Sequence, residues 1–449
     1  MLRGKLLCAV GALVFGSVLA QPAAADKLKI DFWYGNSGDI SKRVQEVCQH
    51  FNDSQANYEV VCTSQGSYYN AVQNTIAAFR GGKPPTIVQV FDVGTLDLML
   101  SKAYYPAYKL MEDNGYKIDW TNYFTGIRAY YASSKGDMFS FPFNSSTALL
   151  YWNKDAFQKI GKTEAPKTWE EAADDMKALK AAGYDCPLAF DISQDESWQL
   201  MEQFSAVHGE PIATENNGFG GLDATLTFNK TKFVKFVTDL KSWYDQGLAK
   251  IKSPNTGEDY VAAFAAGHCQ MTLTSVGDHG NIGRTAAPDM HWDVAMLPVY
   301  DGTKRHNSFV GGASLWVLQN HTPDEYKAAA AFLNFIAQPE QALFWSTVTG
   351  YIPVTKTGYE YMKANGFYDK PPYKGREVAI ASLSVEATSS GPGGIRLGNF
   401  LQIRGEVSNG LQEIFANKAS VQQALDETVQ RGDAILRRFE ATYKGKTLP

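Results

Sequence analysis

The sequence predicts an α/β fold built as two lobes, and three observations carry that expectation. Strands and helices alternate from the start of the chain. Of its 449 residues, 424 remain once an N-terminal leader over residues 1–25 is set aside, a length for roughly two to three domains. A short hydroxyl-rich run, Asn144-Ser145-Ser146-Thr147, interrupts two extended segments, as expected where a chain passes from one lobe to another.

The leader comes first. Arg3 and Lys5 precede an apolar stretch over residues 6–20, and Ala23-Ala24-Ala25 offers a small-residue cleavage site. That stretch is too short and too early for a spanning helix, so a soluble exported protein beginning at Asp26 is expected. Cys8 follows bulky Leu6 and Leu7, unlike a lipid-modified cysteine. No later run is long and apolar enough to cross a bilayer.

Leu28, Ile30, Phe32 and Tyr34 alternate with polar or amphipathic residues, the period of a strand. Ile40, Val44, Val47 and Phe51 then recur at helical spacing. A second strand is expected over residues 58–61, a helix over 69–80 stopped by Gly81-Gly82, and a third strand over 86–91. This β-α-β-α-β order implies a parallel sheet covered by helices. Ligands bind beyond the strand ends of such sheets, which singles out Tyr68 and Asp92.

Farther on, Thr168-Trp-Glu-Glu171 and Ser420-Val-Gln-Gln423 read as capping boxes opening two helices. Trp169 begins an apolar stripe with Ala172, Met176 and Leu179 and belongs in a core. Trp198 stands at the mouth of a further helical stripe and suits a cleft. A strand is expected to end at Ser275, another to begin at Gly311-Gly312, and one long helix to run over 325–344. Gly350-Tyr351-Ile352-Pro353 follows as a turn.

Without the leader the chain carries 40 Lys and Arg against 47 Asp and Glu, which excludes nucleic acid and anionic membrane surfaces as partners. Any anion must be held by a local cluster. Four cysteines remain: Cys48, Cys62, Cys186 and Cys269. An even number in an oxidising compartment points to two disulfides, Cys48 with Cys62 across a short loop and Cys186 with Cys269 across a long one.

Catalytic signatures are missing. The seven histidines form no HExxH or paired metal spacing, and neither a GxSxG elbow nor a phosphate-binding P-loop occurs. Carboxylates are numerous enough to leave a glycosidase-like acid pair open. Hydroxyls, loop glycines and aromatics otherwise favour binding over bond breaking, with no cofactor and no metal. One stretch looks built for an anion: Ser389-Ser-Gly-Pro-Gly-Gly-Ile-Arg-Leu-Gly-Asn399. Its glycines permit close approach, and Arg396 offers a bidentate fork.

Phe141-Pro-Phe-Asn-Ser-Ser146, Leu150-Tyr-Trp-Asn-Lys-Asp-Ala-Phe157, Lys167-Thr-Trp, Gly311-Gly-Ala-Ser-Leu-Trp-Val317 and Gly394-Ile-Arg-Leu-Gly-Asn399 together resemble the periplasmic glycerol-phosphate receptors of ABC importers. These belong to the extracellular solute-binding family that includes maltose-binding protein. The resemblance implies a two-lobed, type II periplasmic binding fold with a hinged cleft. Residues 26–144 and 308–352 would form the N-terminal lobe, and 145–307 and 353–449 the C-terminal lobe. It also implies a ligand set of Tyr68, Asp92, Ser146, Trp198, Ser275, Gly312, Tyr351 and Arg396. Asp92 stands where the family more often has glutamate, and the polar run Ser193-Gln-Asp-Glu-Ser197 replaces one of two tryptophans. The implied ligand is sn-glycerol 3-phosphate or a glycerophosphodiester such as glycerophosphocholine, the partner an inner-membrane ABC permease, and the state a monomer. A receptor for a neutral oligosaccharide and a secreted hydrolase are the alternatives.

Overall fold

The computed structural model describes residue 1 and residues 26–253, 256–371, 373–386 and 393–449. Residues 2–25 of the leader, and Ser389, Ser390, Gly391 and Pro392 of the Arg396 stretch, thus fall outside the described residues.

The opening reads as expected. Strands β1 (Leu28–Tyr34), β2 (Tyr58–Ser64) and β3 (Ile87–Phe91) alternate with helices α1 (Gly38–Ser54) and α2 (Tyr68–Arg80). All three strands are parallel, with β1 between β2 and β3. A helix α3 (Thr95–Ser101), strand β4 (Tyr104–Tyr105), helix α4 (Thr125–Tyr131) and strand β5 (Phe141–Ser146) follow.

After Thr147 the chain enters a second sheet. It comprises β6 (Ala148–Asn153), β7 (Leu188–Phe190), β8 (Ala249–Ile251), β9 (Met271–Ser275) and β10 (Trp292–Ala295), in the order β10-β6-β9-β7-β8. Helices α5 (Trp169–Ala181) and α6 (Glu202–His208) lie in this part of the chain. Strand β11 (Gly311–Leu318) then returns to the first sheet, antiparallel to β3, β4 and β5. Four more helices matter here: α7 (Pro323–Ile336), α8 (Pro339–Val348), α9 (Phe400–Phe415) and α10 (Val421–Thr442).

Each sheet has its own apolar core. Phe32, Val44, Phe51, Leu315 and Phe332 are buried together in the first. Leu150, Phe157, Trp169, Phe204, Phe236 and Phe400 are buried in the second. Trp169 is therefore a core residue, as its helical stripe requires. The two lobes meet where Phe91 and Ala313 of the first sheet, with Val93 just beyond β3, join the second cluster. In a smaller cluster, Leu96 and Leu100 of α3 meet Phe439 of α10.

The disulfides Cys48–Cys62 and Cys186–Cys269 are both present, with Cα separations of 6.5 and 4.6 Å. They close loops of 14 and 83 residues, a constraint on the unfolded chain worth roughly 3–5 kcal/mol each.

Two local expectations need correction. The helix foreseen over 325–344 is two helices, because Pro339 cannot donate the i→i−4 bond and holds Gln338 extended (ψ 143°). The capping boxes are half-formed. Thr168 and Ser420 accept from Glu171 and Gln423 N–H, but the Glu171 carboxylate takes the Lys167 N–H and the Gln423 amide turns to Glu427. A reciprocal box does occur at Thr322 and Glu325.

Candidate functional site

A cavity of about 280 Å³ lies between the lobes, where the loops after β1, β2 and β3 face the second sheet. This is where an α/β sheet presents its ligands.

The first-lobe wall is a preassembled hydrogen-bond network. Gln89, on β3 and fully buried, accepts from Gly35 N–H (2.8 Å) and donates to Asn36 Oδ1 (2.8 Å) and Asn144 Oδ1 (2.9 Å). Both asparagine amides then donate to the Tyr68 hydroxyl, at 3.0 and 2.9 Å. With two donors on its oxygen, Tyr68 turns its own O–H to the neighbouring Tyr351 hydroxyl. Its ring stacks on Phe91 at 5.4 Å, and burial pushes the phenol pKa well up. Tyr351 is held likewise, stacked on Trp345 at 5.6 Å. The linked pair leaves the Tyr351 proton for the cleft with little reorganisation.

Gly312 has φ +102°, and a Cβ there would lie 1.8 Å from the Asn144 carbonyl oxygen, so only glycine fits. At neighbouring Gly311 a Cβ would press on Ser146 Oγ and the Trp198 ring. The glycine pair thus brings Ser146 and Trp198 to the cavity. On the second lobe the Ser275 Oγ accepts Gly277 N–H at 3.0 Å, which leaves its proton for a ligand.

Charge is unevenly placed. Asp92, Asp195, Glu196 and Asp278 all line the cavity, and Arg404 is the sole Lys or Arg among the described lining residues. Arg404, on α9, is 4 % exposed. Its Nε and Nη2 both donate to Glu202 of α6, its Nη2 lies 3.5 Å from Asp92 Oδ1, and its plane sits 5.3 Å over the Phe91 ring. Its Nη1 has no hydrogen-bond acceptor among the described residues. Burial pushes the Asp92 carboxyl up to about 7, against the pull of Arg404 and with a further push from Glu202. Burial also takes Asp278 up to about 6.

Seven of the eight expected ligand residues therefore meet in one cavity: Tyr68, Asp92, Ser146, Trp198, Ser275, Gly312 and Tyr351. Arg396 does not join them. It is buried with its Nη2 on the carbonyls of Ala129, Tyr130 and Ala132 (3.4, 3.0 and 3.0 Å), and its guanidinium lies 4.6 Å over the Phe219 ring. It closes the C-terminus of α4, where exposed carbonyls favour a cation. The arginine in the cavity stands eight positions later in the chain. Its signal in the sequence was an arginine set within the apolar stripe Phe400, Ile403, Val407, Leu411, a position that buries a charge and so requires partners. Asn36, Asp195, Glu196 and Asp278 were also missed. Asp195 and Glu196 lie in the polar run that stands where the family has a tryptophan, which marked the place and not the residues, and Asn36 and Asp278 follow strand ends as Asp92 does.

Among the described residues, no cluster of three or more His, Cys, Asp or Glu side chains is placed to hold a metal. None of their helices is long and apolar enough to cross a membrane.

Two α/β lobes around a polar cavity, fed by loops from both sheets, define a solute-binding protein of the hinged, two-lobed class. Comparison with known proteins agrees. Residues 46–370 match the bacterial extracellular solute-binding protein family, and the chain belongs to that family. It is 40 % identical over 425 residues to the sn-glycerol-3-phosphate-binding periplasmic protein UgpB of Yersinia enterocolitica, covering 93 % of this chain and 94 % of that one. To UgpB of Escherichia coli K12 it is 39 % identical over 439 residues, covering 96 % and 98 %. In fold it is similar to UgpB from Mycobacterium tuberculosis in complex with glycerophosphocholine (TM-score 0.76, 23 % identity, 92 % and 99 % covered). It is also similar to maltose-bound MalE3 of T. maritima (TM-score 0.74, 15 % identity, 92 % and 100 % covered).

Proposed function

We propose that this chain is a periplasmic receptor that captures sn-glycerol 3-phosphate or its diesters and hands them to an inner-membrane ABC permease. The observation that carries the reading is Arg404: a buried guanidinium, fixed on two sides by Glu202 and Asp92, with one nitrogen left for an anion. The names of the relatives at about 40 % identity support the same ligand class.

In this reading Arg404 holds one phosphate oxygen, and the hydroxyls of Ser146, Ser275 and Tyr351, the last backed by Tyr68, donate to the rest with the backbone at Gly312. Asp92 accepts from the glycerol hydroxyls, and Trp198 covers the carbon chain. Ligand contacts drawn from both lobes reward closure, because the polar groups of each wall are fully paired only when the other wall arrives. The protein works as an exported monomer and carries out no covalent chemistry. The permease supplies transport.

Calorimetric titration of the purified, refolded protein with glycerol 3-phosphate, glycerophosphocholine and maltose tests this. The phosphate esters are expected to bind and Arg404→Ala to abolish that binding. Binding of maltose alone would make the chain an oligosaccharide receptor, and turnover of a glycerophosphodiester would make it a hydrolase.

A further inference from the structure

Strand β3 carries one polar residue, Gln89, in an otherwise apolar run. Its side chain is fully buried, which costs free energy unless the amide is paired. It is paired, and the pairing has a direction. The Gly35 backbone N–H can only donate, and it lies 2.8 Å from the Gln89 side-chain oxygen. The Gln89 nitrogen therefore faces the other way and supplies both its protons, to Asn36 Oδ1 at 2.8 Å and Asn144 Oδ1 at 2.9 Å. Gly35 itself is fixed by close packing. A Cβ there would lie 2.6 Å from Tyr68 Cα, so the end of β1 and the start of α2 meet with no side chain between them.

The direction then propagates. With their oxygens taken, Asn36 and Asn144 turn their amide nitrogens to the Tyr68 hydroxyl, at 3.0 and 2.9 Å. A hydroxyl oxygen with two donors on it has no place left to accept. The Tyr68 proton must leave the network, and Tyr351, which lines the same cavity, receives it. The Tyr351 proton is left for the cleft. Gln89 stands behind this wall and is not among the described residues that line the cavity.

We infer that Gln89 is a positioning residue for the ligand: through Asn36, Asn144 and Tyr68 it sets the tyrosine wall to donate, and so favours an anionic oxygen over a hydroxyl at Tyr351. The inference rests on the proposed phosphate-ester reading and orients the ester within it. A phosphate oxygen takes the Tyr351 proton, and the glycerol hydroxyls fall to Asp92. Each donor in the series polarises the next, which strengthens the last one.

A double-substitution cycle, read by calorimetry with glycerol 3-phosphate, tests it. Tyr351→Phe removes the proton and Gln89→Met removes what directs it. Each alone should weaken binding about tenfold, the loss of one hydrogen bond to a charged group. In the Tyr351→Phe background, Gln89→Met should cost nothing more. A merely structural Gln89 would act equally in both backgrounds, about a hundredfold for the pair, and that result overturns the inference. So does an unchanged affinity in Gln89→Met. Neutron diffraction from the deuterated, ligand-free protein reads the direction with no variant and no ester. Deuterons are expected on the Asn36 and Asn144 amides facing Tyr68, on Tyr68 facing Tyr351, and on Tyr351 facing the cleft. A Tyr351 deuteron facing Tyr68 overturns the inference and leaves the phosphate-ester reading standing on its own titrations. If no ester binds, that reading fails, and the ligand assigned to this wall fails with it.

Discussion

Arg396 and Arg404 are both buried and both lie over an aromatic ring, one just before α9 and one in its second turn, yet their surroundings give them opposite tasks. Arg396 spends one end of its guanidinium on three backbone carbonyls at the end of α4 and has no carboxylate partner among the described residues. Burial without a counter-charge pulls its pKa down to about 10. Arg404 is clamped by Glu202 and approached by Asp92, which raise its pKa despite burial. The first neutralises a helix terminus and holds a fold together. The second is a charge locked in place with one face unspent, and that is what an anion site requires.

The largest expected effect breaks the comparison if it fails. Arg404→Ala should weaken glycerol 3-phosphate binding by about a hundredfold or more, since a charged hydrogen bond in a buried site is lost and two carboxylates are left unpaired. It should also cost stability, about 3 kcal/mol, by stranding Glu202. Arg404→Lys retains the charge without the fork and should recover stability more than affinity. Arg396→Ala should do the reverse. Losing its carbonyl contacts should cost roughly 2 kcal/mol, read as a lower Tm, while affinity changes by less than about threefold. Loss of binding in Arg396→Ala with an unchanged Tm would return Arg396 to the anion site.

How far the sequence revealed this difference depends on the kind of signal. The parallel half of the first sheet was legible because Leu28, Ile30, Phe32 and Tyr34 repeat every second residue and Val44, Val47 and Phe51 repeat on a helix. Tyr68 and Asp92 were legible because they follow strands of that sheet. Seven of the eight expected residues line one cavity, because each sits on or beside a strand end, a helix start or a tight turn whose local chemistry announces itself. Arg404 has no such mark. A glycine-rich stretch draws attention to Arg396, but what decides between the two is which carboxylates arrive from Glu202 and Asp92, more than two hundred residues away in sequence for one and more than three hundred for the other. Pairings at that range depend on tertiary packing and leave no local pattern.

A smaller effect sharpens the view of Arg404. The Asp92 carboxyl, held near 7 by burial, is neutral below that pH and charged above it. A charged Asp92 both repels a phosphate and competes for Arg404. Affinity for glycerol 3-phosphate should therefore fall as pH rises through about 7, by up to about tenfold. Asp92→Asn should remove that upper step while losing an acceptor for the glycerol hydroxyls. An affinity that rises through the same range would mean that the phosphate does not sit beside Asp92.

The smallest expected effect lies between the two arginines. Asp97, on α3 of the first lobe, accepts the backbone N–H of Asn399 at 3.1 and 3.2 Å through its two carboxylate oxygens, at the start of the helix that carries Arg404. It satisfies one of the orphan donors at the N-terminus of α9 across the lobe boundary. Burial lifts its carboxyl to about 7 although the Asn399 N–H pulls it down. A carboxylic acid raised in the folded state binds more protons there than when unfolded, so stability falls as pH rises from about 4 to about 7 and is level above. Asp97→Ala should lower Tm by only a few degrees at acid pH, about 1 kcal/mol for the lost cap, and should flatten the pH dependence of Tm over that interval. A variant that is destabilised equally at all pH values would mean that Asp97 is ionised throughout, so that the contact outweighs its burial. Because the cap sets where α9 begins, the same substitution should weaken ligand binding slightly through Arg404 and leave the Arg396 contacts on α4 intact.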